Sequence, residues 1–226
     1  MNSDGTPYTL AFLTGGRSRR FGSDKSLLCL DGKPVLETLK DRFGDLFAET
    51  LAVSDRPGKI RIEGIREITD RIPDRGPLGG LHAALLEAHT PYLLLMACDL
   101  PDVNRETVQL LLNEAQDRDA DCIVPHHADG FEPMCSVFHA RVLPEVETLL
   151  LSGMHRPGPL ELYERIRVEY VETDNCFFNL NTWEDAEMAS AGIRPGRRPH
   201  KERYIRFFDP GTEKAPDFPG GPKDLN

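Results

Sequence analysis

A chain of 226 residues, 39% hydrophobic and 28% charged, can bury one substantial core and is short for two full domains. Its net charge of −10 opposes general binding to nucleic acid or to an anionic membrane surface. The longest apolar run, residues 92–98, is far too short to span a bilayer, and no charged-then-apolar leader opens the chain. A cytoplasmic protein is therefore expected, with neither membrane nor nucleic acid among its partners. Five cysteines at positions 29, 98, 122, 135 and 176 form no Cys-x-x-Cys, which fits scattered reduced thiols better than disulfides or zinc.

In chain order, residues 9–13 predict a first strand that runs into Thr14-Gly15-Gly16-Arg17-Ser18-Arg19-Arg20-Phe21-Gly22-Ser23-Asp24-Lys25. Adjacent glycines let the chain turn sharply and let another molecule approach the main chain. Amides freed in such a loop form an anion-binding hollow. Arg17, Arg19, Arg20 and Lys25 add positive charge suited to a polyphosphate. The segment is neither a P-loop nor a dinucleotide-binding G-x-G-x-x-G. The bland alternative is a glycine turn followed by a solvated basic loop.

Residues 34–43 predict a helix with Pro34 in its first turn and Val35, Leu36, Leu39 and Phe43 facing inward. Residues 50–53 and 65–69 predict short strands, the second followed by Asp70. Gly76-Pro77-Leu78-Gly79-Gly80 opens a helix over 77–88. Residues 92–97, apolar and bounded by Pro91 and Asp99, predict a central parallel strand buried on both faces. Asn104 caps a helix reaching Asp117, residues 122–124 predict a strand, and His126-His127 read as surface-loop histidines after it. Residues 132–138 predict a strand, 140–151 a helix stopped by Gly153, 168–171 a strand and 182–191 a last helix. After Gly192 the chain turns to Pro, Gly and charged residues. Residues 192–226 read as an extension with little structure of its own, and Tyr204 to Phe208 is a patch that could dock.

Alternating strands and helices predict an α/β, three-layer sandwich with a mostly parallel, Rossmann-like sheet. One unit over residues 1–191 would hold a nucleotide half, about 8–125, and an acceptor half, about 126–191. Ligands of such sheets bind outside the carboxyl ends of the strands. That rule gathers the loops after Leu13, Thr69 and Ala97 on one edge. There Asp99, in Cys98-Asp99-Leu100-Pro101, suits a Mg²⁺ ion shared with phosphate oxygens, with an ordinary turn aspartate as the alternative. Asp70 has a turn or cap role as its own alternative. Asn179 and Asn181, two apart, would share one face of a strand, or else make Asx turns.

The string from Leu13 to Lys25 resembles the signature L-[AT]-G-G-x-S-x-R-M-G-x-D-K of bacterial molybdenum cofactor guanylyltransferases. These are nucleotidyltransferases with a glycosyltransferase-A-like, nucleotide-diphospho-sugar transferase-like fold. Further pieces recur in family order: Asp70 before Gly76-Pro77-Leu78-Gly79-Gly80, then Cys98-Asp99-Leu100-Pro101, Glu132-Pro133-Met134, and Phe178-Asn179-Leu180-Asn181-Thr182 with Glu184-Asp185. The resemblance implies transfer of GMP from GTP to the terminal phosphate of molybdopterin, with Mg²⁺ as cofactor and pyrophosphate as by-product. It implies nucleotide contacts from Leu13, Thr14, Gly15, Gly16, Lys25, Asp70, Gly76, Pro77, Leu78 and Asp99. It places Mg²⁺ on Asp99, catalysis on Lys25, Arg19 and Asp99, and an acceptor or second metal contact on Asn179 and Asn181, with Asn181 preferred. Molybdoenzyme chaperones would be further partners.

The chain departs from the family at Thr14, where Ala is more frequent, and at Phe21, where Met is usual. The Thr14 hydroxyl could meet a ligand or merely pack. Met154-His155-Arg156-Pro157 also lacks the usual pattern on the acceptor side. A cytidylyltransferase, a sugar-phosphate nucleotidyltransferase and a non-catalytic cofactor adaptor remain as alternatives. Cytidylyl relatives tend to carry Ala-Ala-Gly in place of Thr14-Gly15-Gly16 and lack the Gly76-Pro77-Leu78 segment, so the resemblance favours guanine, and Lys25 together with Asp99 favours catalysis.

Overall fold

Leu10, Ala11 and Phe12 are fully buried, and the strand that carries them, β1 (Tyr8–Leu13), is the one around which the sheet is built. The computed structural model describes residues 6–14, 29–30, 32–128, 130–154, 156–175, 177–180 and 185. Gly15, Gly16, Arg17, Arg19, Arg20, Phe21, Lys25, His155, Cys176, Asn181, the helix expected over 182–191 apart from Asp185, and the tail 192–226 lie outside the described residues.

After β1 come a two-residue hairpin, β2 (Cys29–Leu30) with β3 (Lys33–Pro34), then α1 (Val35–Phe43), β4 (Glu49–Ser54), β5 (Arg66–Thr69) and α2 (Gly76–Glu87). The chain continues through β6 (Tyr92–Ala97), α3 (Arg105–Asp117), β7 (Cys122–His127), β8 (Gly130–Phe131) and β9 (Cys135–His139). It then forms α4 (Leu143–Leu151), α5 (Pro159–Tyr163) and β10 (Val168–Glu172). The main sheet has the order β10-β7-β9-β6-β1-β4-β5, with β8 paired to β7. β1 pairs in parallel with β4 and β6, β4 with β5, and β7 with β10; β9 runs antiparallel between β6 and β7. Six strands therefore point one way, and their carboxyl ends share one edge with the amino end of β9.

The inner strands β1, β4, β6, β7 and β9 are buried on both faces, so their side chains divide between two cores. Leu10 and Phe12 of β1 with Leu94 and Met96 of β6 pack against Leu36, Leu39 and Phe43 of α1 and Val108 and Leu111 of α3. Ala11 and Leu13 with Leu93 and Leu95 pack on the opposite side against Leu78 and Leu81 of α2 and Val146 and Leu149 of α4. This is the three-layer arrangement the alternating pattern predicts. α1 turns inward the four residues expected of it, and the Asn104 side chain caps α3 by accepting from the Thr107 amide.

Three local expectations are corrected. His126 and His127 belong to β7 rather than to a surface loop, because β8 and β10 supply partners past Pro125. His127 is buried, with its ring 5.2 Å from Phe177. The strand expected from residue 132 starts at Cys135; Glu132 to Met134 form a turn closed by the Cys135 amide on the Glu132 carbonyl at 3.2 Å. The helix expected from residue 140 opens as a 3-10 turn and becomes α-helical at Leu143, where Pro144 fits the first turn. α5 and the β2–β3 hairpin were not anticipated.

α2 meets the end of β1 with no clearance. A Cβ at Gly80 would stand 2.4 Å from Leu13 Cδ2, which is inside van der Waals contact. Gly80→Ala should thus lower stability by about 1 kcal/mol net: overpacking costs about 1–3 kcal/mol and helix propensity returns about 1. Urea unfolding of the two proteins checks the sign, and a more stable variant would show that Leu13 can yield.

Candidate active site

Past the last residues of the strands, backbone hydrogen bonds continue and fix the loops that follow. The Val53 carbonyl, near the end of β4, accepts the Thr14 amide at 3.1 Å and the Thr14 hydroxyl at 2.7 Å. The next carbonyl, of Ser54, accepts the Asp70 amide at 3.2 Å, and the Leu13 carbonyl accepts the Cys98 amide at 3.3 Å. Thr14 is buried, and its hydroxyl proton is engaged by the protein itself. Of the two uses open to that hydroxyl, anchoring is the one the structure displays.

Asp70 follows β5 and lies over the first turn of α2: a Cβ added to Gly79 would be 3.5 Å from Asp70 Oδ1. That oxygen is buried and has no hydrogen-bond partner among the described residues. Burial, followed by the charge of Asp55, raises the Asp70 pKa from 3.8 to about 6. Gly76, the first residue of α2, has φ of +65°, a left-handed conformation that disfavours other residues. Leu78 turns its side chain into the core, 1% exposed, so only its backbone is available to a ligand.

The loop between Asp70 and Gly76 is braced from outside the sheet. Arg75 Nη1 donates to the Met154 carbonyl at 2.9 Å, and Arg156 Nε donates to the Asp74 carbonyl at 3.1 Å. Asp74 and Arg156 are also the described non-glycine residues with positive φ, +62° and +57°. Each strained residue is thus held by the other's loop.

Asp99 stands one residue past Cys98, in the turn after β6, and is half-buried. Arg42, from α1, grips this turn from below, donating from Nη1 to the carbonyls of Pro101 and Val103, each at 2.6 Å. Arg105 donates to the Arg42 carbonyl at 2.9 Å and forms a two-pronged pair with Asp45 at 2.7 Å. The Asp99 carbonyl accepts the Leu180 amide at 2.9 Å, which brings the neighbouring Asn179 to the same edge. Asn179 in turn donates from Nδ2 to Glu132 Oε2 at 3.3 Å. Among the described residues no group of three or more His, Cys, Asp or Glu side chains could hold a metal ion. A hard carboxylate oxygen such as that of Asp99 is of the ligand type that Mg²⁺ accepts.

The structure therefore brings Leu13, Thr14, Asp70, Gly76, Asp99 and Asn179 to one edge. Gly15, Gly16, Arg19, Lys25 and Asn181 are outside the described residues. Sequence reasoning assigned no role to Arg42 or Glu132. An arginine in the last turn of a helix looks like any favourable helix-end charge, and only the conjunction of Glu with Pro133 in a short motif marked Glu132 at all. A cleft of about 380 Å³ lined by Arg42, Pro101, Asp102, Asn104, Arg105 and Glu106 borders the turn but includes neither Asp70 nor Asp99. It is not the convergence point of the site.

The raised pKa of Asp70 has a consequence for folding. The folded state holds this proton more tightly than the unfolded chain, so stability is lost as pH rises from about 4 to about 6. Asp70→Asn should be nearly neutral at pH 4 and stabilising at pH 7.5. Urea melts at the two pH values check this, and an equal effect at both would assign the shift elsewhere.

Residues 10–164 match the model of the MobA-like NTP transferase domain. A molybdenum cofactor guanylyltransferase of Desulfosudis oleivorans is 30% identical over 195 residues, covering 82% of this chain and 95% of the relative. A probable molybdenum cofactor guanylyltransferase of Methanothermobacter thermautotrophicus is 36% identical over 190 residues, 78% and 96% of the two chains. The crystal structure of molybdopterin-guanine dinucleotide biosynthesis protein A from Archaeoglobus fulgidus superposes with a TM-score of 0.69 at 27% identity, covering 81% of this chain and 97% of that one. The 2-C-methyl-D-erythritol 4-phosphate cytidylyltransferase of Thermus thermophilus shares the fold, with a TM-score of 0.62 at 18% identity over 80% and 96% of the chains. With its motif-bearing loops on the carboxyl edge of a mostly parallel sheet, the chain belongs to the MobA-like NTP transferase family, as a nucleotidyltransferase related to the molybdenum cofactor guanylyltransferases.

Proposed function

We propose that the protein transfers GMP from GTP to the terminal phosphate of molybdopterin, forming the guanine dinucleotide and releasing pyrophosphate. The observation that carries this reading is the buried Oδ1 of Asp70, without a hydrogen-bond partner among the described residues, on the same edge as Asp99. A buried acceptor without a donor is costly, and a ligand that supplies the donor recovers that cost. Guanine offers N1–H and N2–H₂ side by side, which a carboxylate can accept as a pair. Adenine and cytosine do not offer that pair. The names borne by relatives at 30% and 36% identity support the same substrate.

In this reading the base lies along the backbone of Gly76, Pro77 and Leu78, with Asp70 at its donor edge. Thr14 holds the start of the phosphate loop to β4. Lys25 and Arg19 neutralise charge developing on the α-phosphate and the departing pyrophosphate. Asp99 would hold Mg²⁺, which supplies Lewis-acid neutralisation of the phosphate oxygens when bound. The acceptor is a phosphate monoester, already anionic at neutral pH, so no side chain need remove a proton from it. Asn179 and Asn181 would supply a contact to the acceptor or to a second metal.

Incubation with GTP, CTP or ATP, each with Mg²⁺ and molybdopterin, tests the reading through identification of the dinucleotide. GTP should be strongly preferred, since each polar group left unsatisfied by a wrong base costs about 1–3 kcal/mol. Equal or better use of CTP would replace the guanylyl assignment with a cytidylyl one. Asp99→Asn should lower turnover by about 10²-fold or more and shift the Mg²⁺ requirement upward; an unchanged Mg²⁺ titration would return Asp99 to a turn role. GTP affinity should weaken as pH falls below about 6, because protonation of Asp70 turns one acceptor oxygen into a donor. Calorimetry at pH 5 and 7.5 reads this, and Asp70→Asn should flatten the difference.

A further inference from the structure

Met154 and Arg156 lie in the segment whose acceptor-side pattern departs from the family, and both are engaged with the nucleotide side instead. Arg75 Nη1 donates to the Met154 carbonyl at 2.9 Å, and Arg156 Nε donates to the Asp74 carbonyl at 3.1 Å. Arg156 Nη2 also stands 3.7 Å from Asp74 Oδ1. Met154 is itself seated on the end of α4. The Ser152 hydroxyl donates to the Leu149 carbonyl at 2.7 Å, and Gly153 turns the chain with φ of +79°. Through these bonds the end of α4 reaches across to the loop that precedes α2.

That loop is tightly wound. Asp74 and Gly76 have φ of +62° and +65°, and Asp74 lacks the conformational freedom of glycine. A non-glycine residue in this conformation is strained, and it persists only where its surroundings hold it; such residues gather at ligand clamps. The loop also folds back over the first turn of α2. A Cβ added to Gly79 would stand 3.1 Å from Arg75 Cβ, 3.3 Å from the Ile72 carbonyl oxygen and 3.5 Å from Asp70 Oδ1. The course of the loop therefore sets where Gly76 and the Asp70 carboxylate stand. We propose that Arg75 and Arg156 are positioning residues for the nucleotide, clasping residues 70–76 to the end of α4 so that Asp70 and Gly76 keep the arrangement that receives the base. The inference rests on the reading of that loop as the base site, and it gives Arg156 a nucleotide-side task in place of an acceptor contact.

Arg156→Gly tests it, because glycine accepts the left-handed backbone at this position, φ of +57°, and removes only the guanidinium. A loop in its competent form a tenth of the time binds its ligand about tenfold more weakly. The Kd and KM for GTP should therefore rise about tenfold in Arg156→Gly and in Arg75→Ala. The kcat, the KM for molybdopterin and the melting temperature should stay close to those of the unaltered protein. Arg156→Lys keeps a donor on a long stem and should recover part of the loss. A rise in the KM for molybdopterin with GTP binding untouched would overturn the inference and make Arg156 an acceptor contact. So would unchanged GTP binding in both variants, or a fall in melting temperature that matches the loss of GTP affinity, the mark of a purely structural role. Hydrogen exchange at the amides of residues 71–76, measured without nucleotide, supplies a readout independent of activity. It should be faster in Arg156→Gly and in Arg75→Ala than in the unaltered protein. Equal exchange in all three would sink the clasp even if guanylyl transfer is found. A protein that makes no guanine dinucleotide fails the functional reading instead, while the exchange rates still decide whether the two arginines hold the loop.

Discussion

Everything at the candidate site depends on backbone hydrogen bonds that continue beyond the carboxyl ends of the parallel strands. Parallel strands end with carbonyls and amides that have no further ladder partner, and such groups must be satisfied when buried. Here they are satisfied by the functional loops. Val53 takes Thr14, Ser54 takes Asp70, Leu13 takes Cys98, and Asp99 takes Leu180. Segments distant in sequence are therefore set in register by the same interaction that sets the strands. The site inherits the rigidity of the sheet.

That rigidity allows a costly arrangement to persist at Asp70. A carboxylate with one buried oxygen that has no partner among the described residues, its pKa raised to about 6, weakens the folded state at neutral pH. The surrounding structure leaves it little means of escape: the Ser54 carbonyl holds its amide, and the first turn of α2 lies beneath it. α2 in turn is pressed onto β1 at Gly80, so the helix cannot slide without displacing Leu13. The reciprocal bonds between the Asp74–Arg75 and Met154–Arg156 loops hold two left-handed residues in place on the outer side. Pre-organisation of this kind favours a ligand that completes the unpaired acceptor over one that only fits the space.

On the other side of β1, the Asp99 turn is held by charge-assisted hydrogen bonds. Arg42 bridges α1 to the carbonyls of Pro101 and Val103, and Arg105 ties the end of α1 to α3. α1 is the first described α-helix after the basic segment, so the turn carrying the proposed metal ligand is fastened to a helix that follows that segment. Glu132 extends this frame to Asn179.

The order of apolar residues, glycines and caps was enough to determine most elements and the class of fold. Runs such as Tyr92–Ala97 need no knowledge of distant residues, because burial on both faces leaves a continuous apolar signature. The caps and turns at Asn104 and Gly76 are local in the same sense, and so is the placing of Asp70 and Asp99 directly after strands. What only tertiary structure decided is whatever depends on a partner far along the chain. The insertion of β9 antiparallel between β6 and β7 is a matter of strand order, which no local pattern encodes. His126 and His127 joined a strand because β8 and β10 were there to pair with them. The Thr14 hydroxyl found the Val53 carbonyl, Arg42 found two carbonyls beyond Asp99, and Glu132 was buried by segments 35 and 47 residues away from it at Ala97 and Asn179. A side chain's type is written in the sequence, but its hydrogen-bond partner and its burial, and with them its chemical role, are properties of the assembled sheet edge.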